Sequence, residues 1–180
     1  MNKKVLIISA SPREGGNSDT LCNQFAKGAQ EKGHQVEKLR LVELHIDYCS
    51  ACYSCKKLGY CVKKDDMEQI VEKMRKADVI VLATPVYFYT MCAQMKTLID
   101  RTLGAAQKPG LENKDFYLIA TAAAGKFQME RTIEGLRGYL ECIPGAKERG
   151  IIYGEGAWQL GDIEESPAMQ EAYQMGKCIC

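Results

Sequence analysis

Apolar residues are arranged along this chain in two patterns, continuous short runs and stripes with helical spacing. Continuous runs cover residues 4–9, 78–83, 116–121 and 149–153, and a weaker, alternating run covers 35–41. The run Val5-Leu6-Ile7-Ile8 has no polar alternation, which is typical of a strand buried on both faces of a parallel sheet. The pattern therefore predicts five strands.

Stripes of apolar residues at intervals of three and four separate these runs and predict helices. In one of them Asp65 is a good helix cap, and Glu68 follows in the position of a capping box. Strands that alternate with helices form a parallel sheet with right-handed crossovers and helices on both faces. We therefore expect one α/β domain over residues 1–180, with a cysteine-rich loop at 47–64.

Composition narrows the possible functions. The 180 residues carry 24 Lys and Arg against 23 Asp and Glu, so the basic surplus of a nucleic-acid-binding protein is missing. No apolar run approaches the roughly 18 residues of a membrane helix. We expect a cytoplasmic protein that binds neither nucleic acid nor a membrane. Nine residues are cysteines, and in a reducing compartment cysteines are more often metal ligands or catalytic groups than disulfides.

The loop after the first strand is rich in hydrogen-bond donors. Residues 9–20 contain four hydroxyl side chains, an Asn amide, two glycines and one Arg, and they enter a helix N-terminus. Free backbone N–H groups and the helix dipole favour an anion there. The Gly-Lys-Ser/Thr of a P-loop and the spacing of a dinucleotide fingerprint are both missing, so a monophosphate suits the loop better. The alternative is an ordinary turn that uses Ser and Asn as helix caps.

Two more loops follow strands three and four, where open α/β sheets bind their ligands. The first, Thr84-Pro85-Val86-Tyr87-Phe88-Tyr89, is apolar and aromatic without helical spacing. It suits a flat heteroaromatic ligand or, alternatively, a subunit interface. In the second, residues 121–125, small side chains let the backbone approach a ligand edge.

Three motifs in order resemble the flavodoxin-like, NADPH-dependent FMN reductase superfamily. They are Ser-Pro-Arg-(x)2-Gly-Asn-Ser after strand one, Thr-Pro-Val-Tyr-Phe after strand three, and Lys-Thr-Leu-Ile-Asp-Arg at residues 96–101. The resemblance covers nearly the whole chain and implies a doubly wound, five-stranded parallel sheet of order 2-1-3-4-5 that binds FMN. The implied contacts are Ser9, Ser11, Arg13, Asn17, Ser18 and Thr20 to the phosphate, Pro85, Val86, Tyr87 and Phe88 along the isoalloxazine, and Thr121, Ala122, Ala123 and Gly125 at its far edge.

Four cysteines form a compact motif, C-x2-C-x2-C-x5-C, at Cys49, Cys52, Cys55 and Cys61. Three cysteines at two-residue intervals also open the ferredoxin signature, whereas zinc usually takes two separated pairs. The spacing favours an iron–sulfur cubane over zinc, with free or disulfide-forming thiols as a third alternative. Within the superfamily, the segment resembles the iron–sulfur flavoproteins, which implies a [4Fe–4S] cluster beside the FMN.

These inferences together predict an oxidoreductase that moves electrons from NAD(P)H through FMN to a small molecule or a redox protein such as ferredoxin. The chemistry belongs to the flavin, so no catalytic acid or base is expected. The alternatives are a non-enzymatic electron carrier with FMN and a cluster, and a cysteine-based redox or metal sensor. The aromatic loop and the resemblance favour a homodimer or a homotetramer.

Overall fold

A parallel sheet forms the centre of the computed structural model, which describes residues 2–107 and 109–179. Its strand order is β2-β1-β3-β5-β6, and the short β4 pairs antiparallel with the end of β3. With β4 set aside, this is the predicted order 2-1-3-4-5, which is therefore confirmed. The strands are β1 (Lys4–Ser9), β2 (Gln35–Arg40), β3 (Val79–Tyr87), β4 (Thr90–Met91), β5 (Asp115–Thr121) and β6 (Lys147–Gly154).

Helices cover both faces of the sheet, as the unbroken apolar strands require. Along β1, Val5 and Ile7 pack into one apolar core, and Leu6 and Ile8 pack into the other. The first core takes the apolar side chains of α1 and α6, and the second takes those of α3, α4 and α5. The helices are α1 (Asn17–Glu31), α2 (Ser54–Leu58), α3 (Met67–Lys76), α4 (Ala93–Arg101), α5 (Lys126–Glu141) and α6 (Pro167–Lys177).

Two segments differ from the sequence-based expectation. The third strand runs on to Tyr87, because residues 86 and 87 pair with Met91 and Thr90 in a hairpin. Its turn lacks the Asn-Gly or Asp-Gly that usually signals a hairpin. The segment 47–64, expected as a loop, contains the short helix α2, which ends at Leu58 and is capped by Gly59 in the left-handed conformation. A single-turn helix is too short to leave a periodic apolar pattern.

Among the described residues, no helix is both long enough and apolar enough to cross a membrane. The described cysteines form no disulfide. The predicted domain of residues 1–180 includes Met1, Lys108 and Cys180, which lie outside the described residues. That the whole chain is a single domain stays a prediction.

Candidate functional site

A cavity of about 460 Å³ opens beyond the carboxyl ends of β1, β3 and β5. The sheet register sets these ends level, because Ser9 pairs with Ala83 and Pro85 pairs with Thr121. The volume lies within the range of small-molecule sites. Three loops far apart in sequence thus meet, as predicted for this edge of the sheet. The predicted residues that line the cavity are Ser11, Arg13, Asn17, Ser18, Pro85, Val86, Tyr87, Phe88, Thr121, Ala122 and Ala123.

One end of the cavity is the N-terminus of α1. Gly16 is the N-cap residue, so no side chain competes for the N–H groups of the first turn. Ser11 shapes the loop: its Oγ accepts the Arg13 N–H at 3.2 Å and donates to the Arg13 carbonyl at 3.0 Å. A Cβ on Gly16 would lie 2.3 Å from Ser11 Oγ. A side chain at position 16 would therefore displace the Ser11 hydroxyl from its bonds to Arg13. With glycine there, the N–H groups of the first turn can bind an anion.

Two buried polar atoms at this end lack a partner. Ser18 Oγ and Asn17 Oδ1 accept or donate no hydrogen bond within the described part of the chain. A buried polar atom without a partner costs about 1–3 kcal/mol, so a polar ligand group here would stabilise the folded state. The amide nitrogen of Asn17 is engaged and donates to the Gln159 carbonyl at 2.8 Å. Arg13 Nη1 donates to the Trp158 carbonyl at 3.0 Å. These two bonds tie the segment after β6 to the first loop.

Aromatic residues form one wall of the cavity. Tyr87, Phe88 and Tyr89 all line it, and Phe88 is 99% exposed. Phe88 and Tyr89 are the two turn residues between the paired Tyr87 and Thr90, with φ of 51° and 65°. Positive φ is unfavourable for such side chains and tends to occur at functional sites. An exposed, strained aromatic turn at the mouth of a cavity suits a flat ring ligand.

The opposite wall is main chain with small side chains. Two backbone hydrogen bonds hold Ala122 in place. The Ala122 N–H donates to the carbonyl of Gly154, the last residue of β6, at 3.0 Å, and the Ala122 carbonyl accepts the N–H of Ala157 at 2.8 Å. Thr121 and Ala123 line the cavity on either side of it. Because the side chains on this wall are small, they leave the cavity wide enough for a ligand to contact the main chain.

Three predicted contacts do not line the cavity. Ser9 is buried below the loop, and its Oγ has no hydrogen-bond partner among the described residues. Thr20 Oγ1 donates to the Gly15 carbonyl at 3.3 Å. Gly125 is the N-cap of α5, and a Cβ there would lie 3.2 Å from the Glu155 carboxylate. As contacts to FMN, these three residues stay predictions.

Three lining residues, Gln128, Ala157 and Trp158, lie outside the three predicted loops, and three more that were not predicted as contacts, Gly16, Tyr89 and Ala124, lie within those loops. Trp158 is the one tryptophan of the chain and is 65% exposed. The Asp162 carboxylate holds its turn by accepting its backbone N–H at 2.8 Å. The sequence feature that could have indicated this contact is a lone tryptophan in a Gly-rich, acidic connection.

The four cysteines of the motif line a second, much smaller cavity of about 30 Å³. Gly104 lies against it, and a Cβ there would be 3.4 Å from Cys61 Cβ and 3.7 Å from Cys55 Cβ. Within residues 2–107 and 109–179, no three His, Cys, Asp or Glu side chains are arranged as metal ligands. The donor set nevertheless fits a thiolate-bound group, because four thiols share one cavity and glycine leaves room beside two of them. The cysteines are Cys49, Cys52, Cys55 and Cys61.

The backbone around Cys52 is strained. Its neighbours Ala51 and Tyr53 have φ of 52° and 54°, in the left-handed region. Hydrogen bonds from Ser54 lower the pKa of the exposed Cys52 thiol, because they stabilise its thiolate. A thiolate is the form of cysteine that binds metals and reacts as a nucleophile.

A buried ion pair closes the cysteine segment; we call it the clasp. Arg101 Nη1 donates to Asp65 Oδ2 at 2.5 Å and Nη2 donates to Asp65 Oδ1 at 2.9 Å, and both side chains are 1% exposed. Asp65 also accepts the N–H groups of Met67 and Asp47 at 3.2 and 3.1 Å. Burial raises the pKa of Asp65, but these bonds outweigh it and lower the pKa to about 2. Asp65 thus accepts the N–H of Met67, the first residue of α3, but the N-cap is Asp66, one residue after the predicted cap.

Comparison with known proteins identifies the family. Residues 3–151 match the family described as NADPH-dependent FMN reductase. Proteins named iron–sulfur flavoprotein from Archaeoglobus fulgidus and Methanosarcina thermophila are 37% and 31% identical to the chain. Each alignment covers 98% of this chain, and the two alignments cover 78% and 93% of the length of the respective relative. An FMN-dependent NADH-azoreductase from Bacillus anthracis, solved with FMN, shares the fold with a TM-score of 0.71 at 16% identity, over 98% of this chain and 96% of its own. The chain belongs to the NADPH-dependent FMN reductase family, and it resembles the iron–sulfur flavoproteins within that family.

Proposed function

We propose that this protein takes electrons from NAD(P)H through FMN and passes them to a small-molecule acceptor or to a redox protein such as a ferredoxin. The observation that carries the proposal is the cavity of about 460 Å³, which joins a helix N-terminus to an aromatic wall and contains a buried Ser18 hydroxyl that has no partner among the described residues. Bound FMN would supply the redox chemistry, since a flavin accepts a hydride and releases electrons.

In this proposal the residues of the cavity bind the FMN, orient it and shield its ring from water. The N–H groups at the start of α1 and the Ser18 hydroxyl hold the phosphate, and the α1 dipole favours its charge. Arg13 adds a positive charge at the same end while its guanidinium bonds the Trp158 carbonyl. Tyr87, Phe88 and Tyr89 cover the ring, and the exposed side of the cavity admits a nicotinamide that stacks only transiently.

The decisive measurement for the flavin site compares FMN with riboflavin, which has the same ring and no phosphate. FMN is expected to bind at least about 100-fold more tightly, because several charge-assisted hydrogen bonds depend on the phosphate. Ser18→Ala should weaken FMN about tenfold and leave riboflavin unchanged. Equal affinity for the two flavins would contradict the phosphate site.

The oxidoreductase proposal is tested separately, by anaerobic mixing of the FMN-loaded protein with NADH or NADPH. Bleaching of the flavin absorption is the expected result. If neither nucleotide reduces the flavin but a reduced ferredoxin-type protein does, the protein is an electron carrier and not an NAD(P)H-dependent enzyme.

For the second cavity we propose a [4Fe–4S] cluster on Cys49, Cys52, Cys55 and Cys61. It is supported by the four thiols on one cavity and by Gly104 beside two of them. Such a cluster would carry one electron at a time. Anaerobic purification should give about four iron and four sulfide per chain. Cys55→Ser should reduce both, and Cys142→Ser, at an exposed cysteine outside the motif, should not. Stoichiometric zinc, or neither metal with four free thiols, would contradict the cluster.

The surface of the cysteine segment favours an acidic redox partner. Residues 47–64 contain four lysines against one aspartate, and two of the lysines, Lys56 and Lys63, lie over the rings of Tyr53 and Tyr48 at 4.9 and 5.3 Å. A basic surface speeds association with an acidic protein at low salt. Electron transfer to such a partner should therefore slow steeply as salt increases. A rate independent of salt would favour a small-molecule acceptor.

We also propose that the chain forms a homodimer or homotetramer through the aromatic mouth of the flavin cavity. Phe88 at this mouth is 99% exposed, and Phe127 in the first turn of α5 is 82% exposed. Large exposed apolar side chains are typical of interfaces. Sedimentation of the FMN-loaded protein should give a mass of two or four chains, and Phe88→Ser should lower it. A monomer at micromolar concentration would contradict this proposal.

A further inference from the structure

Arg101 joins the cysteine segment to the body of the protein. It is the last residue of α4, and besides the clasp to Asp65 its Nη1 donates to the Asp47 carbonyl at 2.6 Å. Asp47 begins the segment and Asp65 follows its end, so one guanidinium holds both ends of the loop that carries the four cysteines. Arg101 also lines the small cavity formed by those cysteines.

The clasp leaves part of the guanidinium unused. Arg101 Nε is buried and has no hydrogen-bond partner among the described residues. A buried cationic N–H without an acceptor is costly, and Arg101 lines the cavity that carries the four cysteines. The arrangement is therefore suited to an acceptor bound in that cavity.

We propose that Arg101 is a positioning residue of the cysteine site, and that its Nε–H and its buried charge raise the reduction potential of a cluster held there. This inference rests on the proposed [4Fe–4S] cluster. One electron, delivered by the flavin or by the redox partner, makes the cluster more negative by one charge. A fixed positive charge and a hydrogen bond to sulfur both favour that reduced state. The Asp65 carboxylate opposes the effect, because it places a negative charge against the same guanidinium.

Because the two clasp partners have opposite charges, they provide a test with opposite signs. Arg101→Gln removes the cation and the Nε–H, and it should lower the ratio of reduced to oxidised cluster about tenfold at a fixed potential, a shift of about 59 mV to more negative values. Arg101→Lys keeps the charge and should shift less. Asp65→Asn keeps Arg101 and should move the potential to more positive values. Arg137→Gln removes an exposed arginine that pairs with Glu148 and should leave it unchanged.

The measurement is an anaerobic redox titration of each variant, followed by electron paramagnetic resonance, with iron, sulfide and FMN quantified. A clasp that acts only by holding the loop would be broken by both Arg101→Gln and Asp65→Asn, so their potentials would move in the same direction or not at all. That result would overturn the inference. If the Arg101→Gln protein retains no cluster, the test uses Arg101→Lys and Asp65→Asn. Potentials that move in opposite directions support the inference, and potentials that move in the same direction or not at all overturn it.

The failure of this inference can be distinguished from failure of the cluster proposal. A wild-type protein without iron and sulfide after anaerobic reconstitution overturns the cluster and, with it, the role of Arg101. A wild-type protein that holds a cluster whose potential is the same in all variants overturns the role of Arg101 alone.

Discussion

The two cavities of this protein are held in place by different means. The larger one lies on the ends of paired strands, and its phosphate end and far wall consist mainly of backbone and small side chains. The smaller one lies in a segment outside the sheet, closed by the clasp between Arg101 and Asp65. A site built on strand ends inherits the stability of the sheet. The cysteine site depends on a few side chains, so single substitutions should separate the two.

The largest expected effect is on the clasp. Arg101→Met removes the partner of a buried carboxylate and should lower the free energy of unfolding by about 3–5 kcal/mol. Urea unfolding at pH 7 measures it. Arg137→Met, at a pair that is about one-third exposed, should cost at most about 1 kcal/mol. Similar losses in the two variants would remove the contrast between a buried clasp and a surface pair.

The flavin cavity should respond most to Gly16→Ala. A methyl group 2.3 Å from Ser11 Oγ forces the loop away from the helix N-terminus, and FMN affinity should fall about 100-fold. The matched control is Gly138→Ala in α5, where a Cβ meets open space and a gain of about 0.5–1 kcal/mol in stability is expected. Iron content should not change in either variant. A Gly16→Ala protein with normal FMN affinity would show that the loop is not the phosphate site.

Acid should open the cysteine segment before it disturbs the flavin cavity. The pKa of Asp65 is about 2 in the folded protein and near 3.8 in an unfolded chain, so its stabilisation is complete above pH 4 and is lost as pH falls towards 2. The loss amounts to about 2 kcal/mol. Asp65→Asn should flatten stability over this range, whereas Asp100→Asn, at an exposed pair with Lys96, should keep the wild-type slope. An unchanged slope in Asp65→Asn would assign the acid sensitivity to other carboxylates.

The smallest expected effect is at the aromatic turn. Replacing Phe88 and Tyr89 by Asn and Gly supplies the residues that a turn with two positive φ angles prefers. Thermal unfolding should show a gain of about 1 kcal/mol, while FMN binds more weakly because the aromatic wall is lost. A double variant that binds FMN like the wild type would remove the role of this wall.

Most of the fold was predictable because its signals are local. Unbroken apolar runs such as Val5-Leu6-Ile7-Ile8 indicate strands buried on both faces, and the structure has them so. The hairpin beyond Pro85 was missed, because its turn residues Phe88 and Tyr89 contradict the local rule for such turns. Trp158 was missed because it reaches the cavity from a segment without periodicity.

The strands, the three loops at the sheet edge and the cysteine motif could be read from the sequence, because strand burial and residue spacing are properties of short stretches, whereas the strand order followed from the resemblance to the FMN reductase superfamily. Which side chains meet depends on the tertiary structure. It brings Arg101 to Asp65, 36 residues away, and places Arg101 at the edge of the cysteine cavity. Such a pair forms only when the helix and the segment dock, since the cost of burying each charge is offset by the other.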